Sequence, residues 1–450
     1  MAETHSPEPR ALARYALLAA TVIGTMSNNI INVPLRSIAQ DYGQTVQRTV
    51  LAVLAFSLFL AVTMPLTGWL GDRFGRRRVL AAAVGLMALT QVAAALAPNL
   101  ELLVASRGAQ GLACSGIPPL VMGILIWMHP AQPARMMAAW AAANGIGQAA
   151  GPPIGGVVAD WFGWRAIFVV MAVATLTVLA ALLLAVPADR PRPSALHLPG
   201  AILLTSGAGL LLAGISSLSQ SPVPRLLSWT LIGVGLVVLL GFLLVSRGNA
   251  SALIPVRFIA ETRFARSTVA AFAQMFALGT ALVAIPLVLT GAAGLSTSTA
   301  GAAFFVLPLT MAVLATFVGR LSERHGPRRV LRTGLVVIVV GACAIGLVAG
   351  SEHPRVPLLV PLLSLLGLGM AFVQTPAATG ATRSPAGSYG AALGLFSLVR
   401  FAGSTTGAAW VALLVPRDAT TAIFAGVAVI SVLALALSFA GPDPVPVARG

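Results

Sequence analysis

The chain carries the charged stretch Gly68-Trp-Leu-Gly-Asp-Arg-Phe-Gly-Arg-Arg-Arg-Val-Leu80 between two long apolar runs. The stretch returns 251 residues later as Gly319-Arg-Leu-Ser-Glu-Arg-His-Gly-Pro-Arg-Arg-Val-Leu331, with eight of thirteen positions identical. Its glycines permit a tight turn, and its arginines can bind the acid and the ends of nearby helices. Charges that only orient a loop in a membrane would explain the arginines, but not the glycines, the acid or the duplication. We therefore predict a conformational latch formed by Gly68, Gly71, Asp72, Arg73, Gly75, Arg76 and Arg77 and, in the second copy, by Gly319, Glu323, Arg324 and Gly326.

Two other landmarks repeat at nearly the same spacing. Pro34 recurs as Pro286, and the glycines at 151 and 155 recur at 403 and 407, both at an offset of 252 residues. Repeats of this kind are typical of transporters whose substrate site lies near the membrane midplane, between two similar halves. The predicted division is a tail over 1–14, a six-helix bundle over 15–187, a linker with two extra helices over 188–263, a second six-helix bundle over 264–440 and a tail over 441–450.

The composition predicts an integral membrane protein. Of 450 residues, 58% are hydrophobic and only 9% are charged, whereas soluble proteins carry about 25% charged residues. The mean hydropathy is +0.92. All 28 basic residues are arginines, and most fall in short loops between apolar runs. The net charge of +16 therefore indicates orientation in a bilayer, and nucleic acid is not an expected partner.

About fourteen membrane-spanning helices are predicted, since a helix needs roughly 20 apolar residues to cross the hydrocarbon core. The predicted fold class is thus all-α integral membrane. The spans are 15–34, 49–70, 79–97, 102–127, 136–159, 165–187, 197–217, 227–246, 265–290, 299–319, 330–350, 357–375, 389–414 and 420–440. Twenty arginines fall on the side of the N-terminus, six on the opposite side and two within spans. The positive-inside rule then predicts a cell-membrane protein with both termini in the cytoplasm.

Several classes of function are excluded. The sequence contains no GxxxxGK[ST] motif, so ATP does not drive transport. Cys114 and Cys343 lie in different halves without a CxxC partner, and the five histidines fall at segment ends or in loops. We therefore expect no metal site and no cofactor. Because the spans contain neither histidine nor paired carboxylates, an enzyme is not expected either. We expect the protein to be a monomer whose partners are the lipid bilayer and a small-molecule substrate.

Three motifs give the chain a specific resemblance. The stretch 68–80 resembles the cytoplasmic signature of the major facilitator superfamily. The pattern LxxxRxxQG of that superfamily's fourth helix is matched by Leu103, Arg107, Gln110 and Gly111. The pattern GxxxGPxxGG, found in the fifth helix of its exporters, is matched by Gly147, Gly151, Pro152, Gly155 and Gly156. Fourteen spans with a central pair of extra helices further resemble the fourteen-helix drug:proton antiporter branch, which implies outward transport.

The fifth-helix motif also has a physical interpretation. Its first, second and third glycines recur every four residues, so they share one helix face and allow a neighbouring helix to approach closely. Proline removes a backbone donor and can kink a helix. Ordinary packing between membrane helices explains these residues fully. Only the resemblance to exporters implies that the protein transports its substrate outwards.

Polar residues within spans predict a substrate cavity. Arg107 lies inside its span, where a charge costs roughly 2.5–3.5 kcal/mol, so it should face a cavity or a partner; reaching out to the membrane surface is the alternative. Arg400 invites the same argument, and the fourteen-helix branch often has an arginine there. For the other polar residues, hydrogen bonding between helices is an equally good explanation. The candidate substrate-binding residues are Asn28, Asn29, Asn32, Arg107, Gln110, Asn144, Gln148, Gln274, Gln374 and Arg400.

One departure from the related branch concerns the coupling ion. Members usually carry an aspartate in the first helix, but here Ser27, Asn28 and Asn29 precede the corresponding stretch. Every acidic residue lies at a span end, in a loop or in a tail. Asp160 is the first candidate for carrying a proton, ahead of Asp72 and Glu323, because the arginines beside Asp72 favour its ionised form.

The predicted function is secondary active export of small amphipathic or hydrophobic compounds with proton antiport. The alternative is uptake or facilitated diffusion of a neutral or anionic small molecule without strong coupling. An arginine-containing cavity without carboxylates would favour neutral or anionic substrates.

Overall fold

The computed structural model describes residues 7–32, 34–191, 197–218, 223–247, 249, 252–291, 294–295, 297–351, 355–415 and 419–441, and helices joined by short loops make up most of these ranges. The side chains at 7–10, 297 and 298 and most of the predicted tails, at 1–6 and 442–450, lie outside this description. The helices are α1 (Pro7–Asn29), α2 (Leu35–Asp41), α3 (Val46–Thr49), α4 (Leu51–Phe74), α5 (Arg76–Ala95), α6 (Leu100–Cys114), α7 (Ile117–Met128), α8 (Pro133–Phe162), α9 (Trp164–Ala185), α10 (Leu198–Ser217), α11 (Arg225–Ser246), α12 (Val256–Ile259), α13 (Thr262–Thr290), α14 (Thr297–His325), α15 (Pro327–Ala349), α16 (Val356–Arg383), α17 (Gly390–Leu414) and α18 (Thr420–Leu437). Single 3-10 segments cover Ile30–Asn32 and Pro385–Ser388.

Each of the fourteen predicted spans coincides with helix in the described residues, which confirms the all-α membrane fold class. By length and hydropathy, eleven helical segments of this part of the chain qualify as membrane spans, and α1 with α2 forms a bent twelfth candidate. Helices α8 and α17 are not among them, because polar residues lower their hydropathy. These include Asn144 and Gln148 on α8, and Arg400 and Ser404 on α17. Helix α8 packs between α1 and α14, and helix α17 packs between α13 and α4. Polar residues are tolerated there because they avoid lipid.

The predicted fourth span is one membrane-crossing segment, Leu100–Met128, whose regular α-helix is interrupted at Ser115 and Gly116. Helix α6 ends at Cys114 and α7 begins at Ile117. Pro118 and Pro119 occupy the first turn of α7. Since proline lacks an N–H and its ring clashes with the carbonyl four residues earlier, a single regular helix cannot run through this point.

Packing groups the helices into two bundles joined by an insert. The N-terminal bundle contains α1 and α4–α9, and the C-terminal bundle contains α13–α18. The bundles meet where α4 packs on α17 and α8 on α14. In the insert, α10 packs on α11 and contacts α4 and α17, one helix from each bundle. Only 17% of the spanning window of α11 is buried, so α11 presents its leucines and valines to lipid. The domain boundaries set from the repeat stay a prediction.

The repeated glycines make equivalent contacts in both bundles. Gly147, Gly151 and Gly155 of α8 face the backbone of α1, and a side chain at Gly155 would meet the carbonyl of Ile30. In the C-terminal bundle, the glycines at 403 and 407 of α17 face Phe272 and Phe276 of α13. The predicted close approach of helices along this motif is therefore observed, and it recurs at the repeat distance.

Candidate functional site

A cavity of about 1120 Å³ lies between the two bundles. Helices α1, α4, α6, α7 and α8 line it on one side, and α13, α14 and α17 line it on the other. We call the face at which α1 begins and α18 ends the terminal face. On each long helix the lining residues run from near the middle towards the end away from this face, from Asn144 to Asp160 on α8 and from Pro308 to Gly301 on α14. The cavity therefore extends towards the face opposite the termini.

The N-terminal bundle supplies the polar wall of the cavity. Asn28, Asn29, Asn32, Asn144 and Gln148, all predicted from the sequence, line it. The Thr25 hydroxyl donates a hydrogen bond to Asn144 Oδ1 at 3.1 Å, and the Ser57 hydroxyl donates one to Asn28 Oδ1 at 3.1 Å. The amide nitrogen of Asn144 donates to the Trp140 carbonyl at 3.0 Å. These contacts fix the side-chain amides while leaving the Asn28 amide nitrogen available to a bound molecule.

The C-terminal bundle supplies an apolar and aromatic wall, which the sequence analysis did not identify. Its large side chains are Met275, Leu278, Leu282, Phe304, Phe305, Pro308 and Phe401. Ser404 and Thr405 are the hydroxyl-bearing residues of this wall. In sequence these apolar residues resemble those that face lipid, so only the packing of the bundles distinguishes them. One polar and one apolar wall suit a ligand that has both kinds of surface.

Arg107 and Gln110 lie outside the cavity lining. The Arg107 side chain is fully buried, and its guanidinium stacks on the Phe56 ring at 4.2 Å from the centroid. It donates hydrogen bonds to the Ser27 carbonyl at 3.0 Å and to the Gln110 side-chain oxygen. Nε and Nη2 of Arg107 have no hydrogen-bond partner among the described residues. Arg107 thus joins α6 to α1 through Nη1 instead of reaching the membrane surface.

Gln274, Gln374 and Arg400 are also absent from the lining. All three are buried, and Arg400 stacks on Trp140 of α8 at 5.0 Å and on Phe401 at 5.3 Å. No arginine lines the cavity in this conformation. Helix packing encloses both arginines in this conformation, and the preference for neutral or anionic substrates stays a prediction.

Asp160 is the carboxylate that lines the cavity. It lies near the end of α8, is exposed, and stands close to the opposite face. The other two predicted proton carriers, Asp72 and Glu323, lie at the terminal face instead. Pro152 and Gly156 of the fifth-helix motif also line the cavity.

The predicted latch residues of the first copy join the two bundles at the terminal face. Asp72 accepts hydrogen bonds from Arg76 at 3.0 and 3.3 Å and, through its other oxygen, from the Gly390 backbone N–H of α17. Arg76 in turn donates to the Ser388 carbonyl at 3.2 Å. Gly68 lies directly against the Gly390 backbone. Together these contacts close the terminal side of the cavity.

The three glycines of the first latch stretch have different functions. Gly75 connects α4 to α5 with a φ of 96°, and its counterpart Gly326 has a φ of 86°. These positions need glycine because the left-handed region is unfavourable for other residues. Gly68 is helical and allows α4 to touch α17, so the expectation that it forms the turn is wrong. Gly71 similarly admits Leu120 of α7.

Asp189 is a latch residue that the sequence analysis missed. Its carboxylate accepts hydrogen bonds from the backbone N–H groups of Arg76 at 2.8 Å and Arg77 at 3.0 Å. It therefore caps α5, whose first N–H groups have no partner within the helix. Arg77 also donates to the Leu183 carbonyl at the end of α9. Since Asp189 is 113 residues from Arg76, no local pattern could have indicated this contact.

The second copy of the stretch forms only part of these contacts. Arg328 donates to the Ser438 carbonyl at the end of α18 at 2.8 Å, as Arg77 does at the end of α9. Gly319 lies against Ala138 of α8. Glu323 and Arg324, like Arg73 in the first copy, are exposed. Neither Glu323 nor Arg324 forms an ion pair within the described part of the chain. The latch across the bundles therefore rests on Asp72.

A helical membrane protein with a cavity between two bundles belongs to the class of multi-pass transporters, and sequence comparison identifies the family. The profile of the Major Facilitator Superfamily matches residues 16–263 and 267–450. The chain belongs to the major facilitator superfamily.

Two proteins of Mycobacterium tuberculosis illustrate the similarity. Multidrug resistance protein Stp is 28% identical over 386 residues, which cover 84% of this chain and 71% of that protein. Drug efflux pump JefA is 26% identical over 395 residues, which cover 86% of this chain and 77% of that protein. The crystal structure of the human organic anion transporter MFSD10 (TETRAN) aligns with a TM-score of 0.72 at 18% identity, covering 96% of this chain and 100% of that one. The structural likeness concerns the fold alone.

Proposed function

We propose that this protein exports small amphipathic or hydrophobic compounds across the cell membrane by alternating access, with proton antiport. The observation that carries the proposal is one cavity shared by two bundles, sealed at the terminal face by Asp72 and Gly390 and extending to the opposite face. Such a cavity delivers a bound molecule outwards if the terminal face is cytoplasmic. The excess of arginines on that side supports this orientation. Because one chain contains the whole cavity, we propose a monomer as the working unit.

The walls of the cavity support an amphipathic substrate class. Side-chain amides of α1 and α8 offer hydrogen bonds, while Phe304, Phe305 and Phe401 offer aromatic surface. A site with mobile apolar contacts and few fixed polar groups accommodates several related molecules instead of one. The relatives named as drug efflux or multidrug resistance proteins support the same class.

Asp160 is the proposed proton carrier, because it is the carboxylate in contact with the cavity. A proton moving down ~100 mV supplies about 2.3 kcal/mol, which sustains a roughly fiftyfold gradient of a neutral solute. A substrate seated near Asp160 would alter the affinity of that carboxylate for a proton, and this reciprocal effect is what coupling requires.

Uptake or facilitated diffusion is the second candidate. One observation favours it: Asp160 is exposed near the mouth of the cavity and not buried at its centre. A carboxylate in contact with water exchanges protons whether or not substrate is present, which would give weak coupling.

Flux in proteoliposomes separates the two candidates. A lipophilic fluorescent dye and an imposed pH gradient are used with the wild type, Asp160→Asn and the control Glu101→Gln, which changes an exposed acid outside the cavity. Antiport predicts dye accumulation that follows the gradient in wild type and control and is lost in Asp160→Asn, with downhill flux retained. Flux that ignores the pH gradient in all three proteins would contradict proton coupling and favour facilitated diffusion.

A further inference from the structure

A group of buried hydrogen-bond donors lies beneath the cavity floor, where the two bundles meet. Arg400 of α17 is 2% exposed and Trp140 of α8 is 1% exposed. Among the residues that the structure describes, neither Nε nor Nη1 of Arg400 has a hydrogen-bond partner, and the same is true of Trp140 Nε1. The hydroxyl of Ser397, which precedes Arg400 by three residues on the same face of α17, is buried and unpartnered as well. Buried polar groups normally have partners, so this group points to a missing acceptor.

No carboxylate of the described chain supplies that acceptor. The guanidinium is permanently charged, yet no ion pair to Arg400 exists among the described residues. The described acids lie at helix ends or in loops, whereas Arg400 lies ten residues into α17, about 15 Å along its axis. Stacking on the Trp140 ring at 5.0 Å offsets part of the cost of burying the charge. It does not satisfy the N–H groups.

The position of the group connects it to the cavity. Phe401, the next residue after Arg400, lines the cavity, and so does Asn144, one turn after Trp140 on α8. Along the helix axis, Arg400 is therefore about 1.5 Å from a lining residue, and Ser397 and Trp140 are each about one helical turn, roughly 6 Å, from one. Because α8 and α17 belong to different bundles, the movement that opens the terminal face would part the two helices and leave Trp140 and Arg400 on opposite walls of a narrow gap, which a compact group fills and bridges. The guanidinium would then face the reoriented cavity.

We propose that Arg400, Trp140 and Ser397 form a binding site for a compact anionic group of the carboxylate type, closed in this conformation and opened with the terminal face. This inference deepens the proposed function, on which it rests, by naming a chemical group that the substrate carries. An acceptor-only group matches a cluster of donors, and hydrogen bonds to a charged partner are the strong ones. A free inorganic anion offers the same chemistry from a different source.

Binding of a matched pair of probes tests the site. Pyrenebutyrate carries the carboxylate, and its methyl ester has the same apolar body without the charge. Affinity is measured by thermal stabilisation of the purified full chain in detergent, in a zwitterionic buffer without added chloride or carboxylate. Arg400→Gln is expected to weaken pyrenebutyrate binding by about tenfold or more while ester binding stays unchanged. The control Arg78→Gln, an exposed arginine, should leave both affinities as in wild type.

Two further variants keep the test decisive if Arg400→Gln does not fold. Trp140→Phe keeps the ring and removes the N–H, and Ser397→Ala removes the hydroxyl, so both should weaken pyrenebutyrate selectively. Equal selectivity for the carboxylate in wild type and in every folded variant would overturn the inference and leave the proposed function standing. A wild type that binds neither probe would instead contradict the proposed function of the cavity.

Chloride distinguishes the two sources of the anion. If chloride stabilises the wild type without any probe and competes with pyrenebutyrate, the site takes a free inorganic anion as well. If chloride has no effect and pyrenebutyrate depends on Arg400, the carboxylate of the substrate is the ligand. Either result supports the site, provided that pyrenebutyrate binding is weakened in Arg400→Gln.

Discussion

Removing the Asp72 carboxylate should release the terminal face of the cavity. In Asp72→Ala the Gly390 N–H loses its acceptor, and Arg76 loses the partner that directs it towards Ser388. The pair of Arg76 and Asp72 lies within one bundle and survives opening, so only the contact across the bundles biases the equilibrium. One hydrogen bond to a charged group is worth about 1.5–3 kcal/mol. The ratio of closed to open terminal face should therefore fall roughly tenfold to 150-fold.

Spin-label distance measurements across the terminal face provide the assay. Labels at Arg78 and Arg329, both exposed and in different bundles, report the separation in a background without Cys114 and Cys343. Asp72→Ala should enlarge the population at the longer distance. Glu323→Ala is the matched control, because this counterpart in the repeat is exposed and bridges nothing. An unchanged distance distribution in Asp72→Ala, or an equal change in both variants, would refute the assignment of the latch to Asp72.

Three other substitutions give distinct expectations. Arg107→Ala should abolish dye transport while the protein still inserts into the membrane, because the link from α6 to α1 is lost; full activity with normal expression would show that this link is dispensable. At the opposite face, the hydrogen bond from Arg165 holds the pKa of Asp41 below its usual value. Because the pKa of Asp41 is lower in the folded protein than in the unfolded chain, where it is about 3.9, its ionised form stabilises the fold at pH values above about 3.9. This stabilisation is lost as the pH falls through the pKa of the folded state. Asp41→Asn should therefore melt earlier than wild type at pH 7, with the two melting temperatures converging below about pH 4; a constant difference would contradict this. Gly155→Val should destabilise the protein by more than about 2 kcal/mol through overpacking, whereas Gly301→Val, which has open space around it, should not; equal melting temperatures would argue against tight packing of α8 on α1.

Much of the fold was predictable because lipid imposes simple rules on a sequence. Spans must be apolar and helical, so fourteen segments could be predicted from apolar runs and from the alternation of arginines in the loops, although α8 and α17 are less apolar than the other spans. The repeated stretch at 68–80 and the glycines every four residues indicated where helices turn or touch. Break points were harder to predict. The interruption between α6 and α7 depends on Pro118 and Pro119, which look like other apolar residues in a hydropathy window.

The site was only partly predictable, since its geometry depends on contacts between distant segments. The polar wall was indicated by amides four residues apart on α1 and α8. The aromatic wall was not, because Phe304 and Phe401 differ from lipid-facing residues only in what they pack against. Asp189 acts on a helix that begins 113 residues earlier. Arg400 stood out as a charge within a span, but its partner Trp140 in the other bundle could not be inferred from sequence.

The account rests on a cavity that opens to one face at a time, and labelling of a single cysteine at Gln148 tests this most directly. Gln148 lines the cavity and is half-buried. In vesicles of known orientation, a membrane-impermeant maleimide should modify Gln148→Cys from the face opposite the termini, and Asp72→Ala should add reaction from the terminal face. The background lacks Cys114, which lines the cavity, and Cys343. Equal reaction from both faces in the protein that retains Asp72, or reaction from neither face in both proteins, would contradict alternating access through this cavity.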